Sequence, residues 1–158
     1  MAAERDCRIR RLLPVVCARY AAHEASCRAK LAGGERLRVA FLVCDTSMFS
    51  SEPVFARMKD DPRFDCFIAL VPRISRGEAF LRTTYAKAIE TFQERYPGSV
   101  RLLYNLETRK CEGLEGRADI VFSSIIYEDQ TFARFTVETM SKYALVAIVS
   151  YGYGGMFK

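Results

Sequence analysis

The sequence predicts an open, doubly wound α/β fold of the Rossmann-like kind, with a mostly parallel five-stranded sheet, helices on both faces and a preceding N-terminal helix. Two observations support this fold class. Short apolar runs alternate with helix-like segments about every thirty residues. The runs are almost continuously apolar, as expected for strands buried on both faces of a parallel sheet. Since parallel strands need crossover connections, which are nearly always right-handed, the expected strand order is 3-2-1-4-5.

The length suits one domain. The chain has 158 residues, of which half are hydrophobic and 27% are charged, an ordinary globular composition. We divide it into a basic N-terminal helical segment, residues 1–34, and a Rossmann-like domain, residues 35–158.

The elements follow from the spacing of the apolar residues. A helix is expected over residues 3–32, where Pro14 should kink or split it and Gly33 should end it. Ser51 is a candidate cap for a short helix over residues 52–60. The expected strands are residues 37–44, 64–71, 99–104, 118–126 and 144–150, and the further helices are residues 78–96 and 131–142.

Cysteine usage and hydropathy predict a cytoplasmic protein. The six cysteines include no C-x-x-C pair, and they are interpreted as reduced thiols. The first thirty residues are interrupted by charge and lack the apolar core of a secretion signal. No stretch reaches the ~18 apolar residues that would span a bilayer.

The positive charge is concentrated near the N-terminus. The net charge is +5, and Arg5, Arg8, Arg10 and Arg11 stand close together. A solvated helix face is the ordinary explanation of such a run, and a membrane-surface contact is the functional hypothesis. No nucleic-acid partner is predicted.

Candidate binding residues come from the loops that follow the strands, because ligands of such sheets bind beyond the carboxyl ends of the strands. Some of them, such as Asp45 and Ser47, have an alternative role as caps of the next helix. The candidates for substrate binding are Asp45, Thr46, Ser47, Arg73, Arg76, Tyr127, Asp129, Tyr151, Gly152 and Tyr153.

The common catalytic signatures are absent. The chain has no G-x-G-x-x-G, no G-x-x-x-x-G-K-[ST] and no G-x-S-x-G, which disfavours a standard dinucleotide site, a P-loop and a hydrolase elbow. The only histidine, His23, lies on the first helix, away from the strand ends. No catalytic residue, metal or cofactor is predicted.

Several segments resemble a known family. Residues 38–58, 60–72, 118–130 and 142–153 resemble the N-terminal half of the CDP-glycerol glycerophosphotransferase family. The most specific parts are Asp-Pro-Arg-Phe at residues 61–64 and Tyr-Gly-Tyr at residues 151–153.

This family consists of two-domain GT-B transferases of teichoic-acid and capsule synthesis. The resemblance implies an acceptor-side domain that is inactive alone and faces a polyol-phosphate or glycan acceptor. It implies a C-terminal donor-binding domain of the same protein as partner, and it would place the basic helix at an anionic membrane surface, on the cytoplasmic side. The chain departs from the family in having no histidine at a strand end.

The alternative is a non-catalytic, receiver-like or flavodoxin-like binding or interaction module. A receiver needs an acidic pair after the first strand and an aspartate after the third, but only Asp45 and Asn105 stand there. A flavodoxin needs a phosphate-binding loop, to which residues 46–51 are a partial match.

Overall fold

The computed structural model describes residues 2–125 and 128–149, with side chains from residue 14 onward except at residue 128. These residues form four α-helices and five β-strands: α1 (Ala2–Ala32), β1 (Leu37–Val43), α2 (Glu52–Lys59), β2 (Phe64–Leu70), α3 (Glu78–Arg95), β3 (Val100–Leu102), β4 (Ile120–Ser123), α4 (Val137–Met140) and β5 (Leu145–Ile148). Short 3-10 turns cover Thr46–Met48, Glu128–Gln130 and Ala133–Phe135. Among the described residues, no helix has the length and hydropathy needed to cross a membrane.

The five strands form one open sheet in which every pairing is parallel. Their order is β3-β2-β1-β4-β5, which confirms the order predicted from the sequence. β1 is central, with Leu37 opposite Phe64 of β2 and Val39 opposite Ile120 of β4. Every residue of β1 is buried except Arg38, which is half-buried. The most continuous apolar run of the chain therefore occupies the position with a neighbour on both sides.

Successive residues of β1 enter two cores, one on each face of the sheet. Val39, Phe41 and Val43 pack with residues from α1, α2 and α3. Ala40 and Leu42 pack on the other face, against the connection between β3 and β4, the 3-10 turn before α4, and α4 itself. Helices cover both faces, as predicted, but the second face is covered mostly by non-helical chain.

The predicted helix over residues 131–142 is wrong in extent. Phe132 and Thr136 both have extended backbone, so the segment divides into a 3-10 turn and the four-residue α4. The Thr136 hydroxyl accepts a hydrogen bond from the Thr139 amide at 3.3 Å and thereby caps α4. Buried Phe135 and Met140 attach the two short pieces to the sheet.

The connection from β3 to β4 contains no helix and begins as a hairpin. Tyr104 and Cys111 form an isolated antiparallel bridge. The Asn105 carboxamide accepts hydrogen bonds from the amides of Glu107 at 2.9 Å and Thr108 at 2.8 Å, which closes the turn between them. β3 ends before this hairpin and is shorter than the strand predicted over residues 99–104.

An ion cluster at the amino-terminal edge of the sheet holds the end of α1. The Asp119 carboxylate, only 10% exposed, accepts from Lys30 Nζ at 2.6 Å and from Arg38 Nη2 at 3.0 Å. Burial by itself raises the pKa of Asp119, but hydrogen bonds from Arg38 and Lys30 lower it to about 2. His23 Nε2 donates to the Ser141 carbonyl at 3.1 Å and adds a second attachment of α1.

Candidate functional site

The topology marks one place in the sheet as the candidate site. β1 connects onward to β2, whereas β4 is reached from β3, so the two connections at the β1–β4 boundary lie on opposite faces. In doubly wound sheets such a switch point leaves a crevice beyond the carboxyl ends of the strands, where ligands bind.

Backbone and side-chain hydrogen bonds show that the loops at this edge converge. The Ile74 amide, in the loop after β2, donates to the Gln130 carbonyl, in the loop after β4, at 3.1 Å. The Ser50 hydroxyl, in the loop after β1, donates to the Val149 carbonyl after β5 at 3.1 Å. The loops after four strands therefore meet at one edge of the sheet.

In the first of these loops, the predicted residues cap a turn. The Asp45 carboxylate accepts from the Ser47 amide at 2.9 Å and from the Ser47 hydroxyl at 3.0 Å. Thr46 and Ser47 are exposed, and Asp45 is half-buried. Both hydrogen bonds go to Oδ1, so the capping role predicted as the alternative uses one of the two carboxylate oxygens of Asp45.

Five buried polar atoms in these loops have no hydrogen-bond partner in the described part of the chain. They are Ser51 Oγ, Arg73 Nε, Ser124 Oγ, Gln130 Oε1 and Thr131 Oγ1, and we call their residues the edge cluster. Among the described residues, one other buried side-chain polar atom, the hydroxyl of Tyr143, lacks a hydrogen-bond partner. An unpaired buried polar atom destabilises a fold by about 1–3 kcal/mol, so such groups in native proteins usually meet a ligand or an ordered water.

Four of these residues are almost completely enclosed. The residues Ser51 and Ser124 are 0% exposed, while Thr131 and Gln130 are 4% and 9% exposed. A hydroxyl both donates and accepts, and a carboxamide oxygen accepts, so these groups match the hydroxyls of a polyol or a sugar.

Arg73 contributes the positive charge of the edge cluster. Burial raises the pKa of the Cys44 thiol, directly after β1, to about 11, and the charge of Arg73 partly opposes that rise. Arg73 itself lies three residues after the end of β2 and is half-buried. An arginine at this point can bind a phosphate or carboxylate through two parallel hydrogen bonds.

Arg76 has a different position from Arg73. It is exposed, and its guanidinium carbon lies 5.2 Å from the centre of the Phe80 ring, on α3. No described contact joins Arg76 to the edge cluster. Asp129 is exposed in the turn Glu128–Gln130, next to buried Gln130. The other predicted residues, Tyr127, Tyr151, Gly152 and Tyr153, lie outside the described residues.

Sequence reasoning missed four of the five residues of the edge cluster. A signal was present for two of them, because Ser124 follows Ser123 at the end of an apolar strand and Gln130 stands in a loop already marked as a candidate. Ser51 was expected to cap α2, but the cap residue makes no side-chain hydrogen bond there.

The described residues at this edge can bind a ligand, but none of their hydroxyls or thiols is paired with a histidine. His23 lies at the opposite edge, bonded to the Ser141 carbonyl. The Cys44 thiol, with a pKa of about 11, is protonated at neutral pH. In the described part of the chain, no three histidine, cysteine or acidic side chains gather as a metal site would require.

Two shallow clefts near the β3–β4 hairpin are weaker candidates. One, of about 520 Å³, lies beside Tyr104 and Asn105. The other, of about 600 Å³, lies between Arg109 and Arg134. Neither cleft is lined by a residue with an unpaired buried polar atom, which distinguishes both from the edge cluster.

Comparison with known proteins identifies no relative. No family model matches the chain, and neither a curated protein nor a solved structure matches it. The resemblance to the CDP-glycerol glycerophosphotransferase family thus stays a prediction, and the candidate site depends on the fold and on the chemistry of its own residues.

Proposed function

We propose that this chain is the acceptor-side domain of a glycosyl- or glycerophosphate transferase of cell-surface polymer synthesis. Its acceptor, a polyol-phosphate or glycan, binds at the edge cluster. The observation that carries the proposal is the set of five buried polar atoms in the loops at the carboxyl-terminal edge of the sheet, for which the described residues provide no partner. The hydroxyls of Ser51 and Ser124 suit a polyol, and Arg73 suits a phosphate.

The donor is bound by a C-terminal domain of the same protein, and the chain alone is inactive. This part of the proposal is supported by the sequence resemblance. The protein works in the cytoplasm, a location consistent with the free thiols of the described cysteines, which are Cys17, Cys27, Cys44, Cys66 and Cys111.

A titration followed by amide NMR tests the binding step. The probe is sn-glycerol 3-phosphate, with glycerol and inorganic phosphate as separate comparison ligands. We expect saturable shifts at the amides of the edge cluster with glycerol phosphate, and weaker binding of glycerol and of phosphate, since each supplies half of the contacts. Shifts confined to the surface of α2 or α3, or no shifts, contradict the proposal.

A matched pair of variants tests whether binding depends on the positive charge of Arg73. Arg73→Gln should weaken binding of glycerol phosphate by about tenfold to a hundredfold, since a hydrogen bond to a charged group contributes about 1.5–3 kcal/mol. Arg57→Gln on α2 removes the same charge from an exposed position and should leave binding unchanged. If both variants lost the same affinity for glycerol phosphate, binding would depend on the net charge of the chain and not on Arg73, which would contradict the proposal.

The transferase step is tested by expressing the full reading frame that encodes this chain. A reading frame that continues past Lys158 with a second strand–helix pattern should yield a protein that transfers glycerol phosphate from CDP-glycerol, while the 158-residue chain binds acceptor without transferring. Acceptor binding without any transfer by the longer protein favours the binding-module alternative.

A further inference from the structure

α1 consists of two parts with different surroundings. Its C-terminal part is attached to the sheet through buried Cys27, which is 8% exposed, and through the pair of Lys30 with Asp119. Further towards the N-terminus, Val16 and Tyr20 are 48% and 55% exposed. The helix thus continues past the domain that holds its other end.

The exposed apolar residues continue the face that is attached to the sheet. Val16, Tyr20 and Cys27 lie four and seven residues apart, close to whole helical turns, and so share one face. One apolar face therefore contacts the sheet along its C-terminal part and has exposed apolar side chains at Val16 and Tyr20.

The N-terminal part of α1 has a net positive charge. Residues 2–23 include five arginines, at positions 5, 8, 10, 11 and 19, against two acidic residues, Glu4 and Asp6. The nearest acidic side chain with described contacts, Glu24, is paired with Arg28 at 2.7 Å. An apolar face flanked by unbalanced positive charge is typical of helices that lie in a lipid interface.

We propose that the N-terminal part of α1 binds an anionic membrane surface, with the Val16–Tyr20 face in the lipid interface and the arginines at the headgroups. Charge complementarity favours this occupant over a second copy of the chain, because two copies would bring segments of the same net positive charge together. The apolar face favours it over a nucleic acid, which would bind the arginines without covering Val16 or Tyr20.

Co-sedimentation of the full chain with vesicles tests the proposal. Vesicles of phosphatidylcholine are compared with vesicles containing about one third phosphatidylserine. The chain should bind the second kind and not the first. Replacing Arg8, Arg10 and Arg11 by glutamine should weaken binding about a hundredfold, at about fivefold for each arginine.

A charge-matched control distinguishes binding by the N-terminal part of α1 from an effect of the net charge of the chain. Arg57→Gln, Lys59→Gln and Lys87→Gln together remove the same charge from exposed positions of α2 and α3, and this variant should bind like the original chain. Val16→Ser with Tyr20→Ser keeps every charge and should bind about tenfold more weakly, because less apolar surface enters the interface. Circular dichroism checks that each variant keeps its helix content.

Three results overturn the proposal. The first is equal binding to both kinds of vesicle. The second is equal loss in the control and in the arginine variant. The third is sedimentation velocity showing a dimer that Val16→Ser with Tyr20→Ser abolishes, without vesicle binding, since a second copy would then be the occupant.

Discussion

Replacement of Asp119 by asparagine should destabilise the protein in a way that depends on pH. The carboxylate is 10% exposed and bonded to Lys30 and Arg38, which join α1 to β1 and β4. Burial raises the pKa of Asp119, but the hydrogen bonds from Arg38 and Lys30 prevail and lower it from the ordinary 3.8 to about 2. A tenfold change in proton affinity corresponds to about 1.4 kcal/mol, so the ionised state adds about 2 kcal/mol to the free energy of unfolding.

The pH range follows from the direction of this change. Because the folded-state pKa lies below the unfolded value, the contribution of Asp119 is complete above about pH 4 and disappears as the pH falls towards 2. Asp119→Asn should therefore lose about 2 kcal/mol at pH 7 and at pH 5, with a smaller difference from the original chain at pH 3.

Urea unfolding at several pH values measures this difference, and Asp61→Asn is the control. Asp61 also has a pKa near 2, lowered by hydrogen bonds from Arg63, but that pair lies at the surface, where ion pairs contribute little to stability. If Asp119→Asn cost no more than Asp61→Asn, or cost the same at pH 3 as at pH 7, the reasoning from burial and linkage would be refuted.

Two further predictions concern buried groups away from the site. Tyr85→Phe should lower the free energy of unfolding by about 1–2 kcal/mol in urea denaturation, because the phenol donates to the carbonyls of Leu70 at 3.0 Å and Tyr104 at 3.2 Å in the core. With Ellman's reagent, exposed Cys17 should react within the native protein, whereas Cys44, buried and with a pKa of about 11, should react only after unfolding; rapid loss of both thiols would contradict the described burial.

The sheet was predictable because its strands are apolar over their whole length. The run from Leu37 to Val43 indicates a strand covered on both faces, and the alternation of strands and helices indicates a parallel, doubly wound sheet, for which 3-2-1-4-5 is a common order. The segment around Thr136 was misjudged as one helix. Its apolar spacing is helical, but Thr136 is a preferred cap residue that interrupts the helix. Phe135, directly before this cap, is buried in the core.

The candidate site was predictable in location but only partly in composition. The position of Arg73 after a strand places it at the carboxyl-terminal edge of the sheet, yet the sequence cannot distinguish it from Arg76, three residues later. Only the folded chain shows that Arg76 is exposed and stacks on Phe80, while Arg73 is half-buried and its Nε has no partner among the described residues. Ser124 was missed because its burial depends on loops that are distant in sequence and meet only in the tertiary fold.

The two edges of the sheet differ in how their buried polar groups are paired. At the amino-terminal edge Asp119 is a buried charge whose hydrogen bonds are made by Lys30 and Arg38, so that edge stabilises the fold. At the carboxyl-terminal edge Ser124 and its neighbours are buried without a partner in the described part of the chain, and such a group lowers stability until a ligand or water bonds it. Unsatisfied polar groups cluster where a protein gives up stability for binding, so a ligand that bonds them should raise the unfolding temperature of this domain.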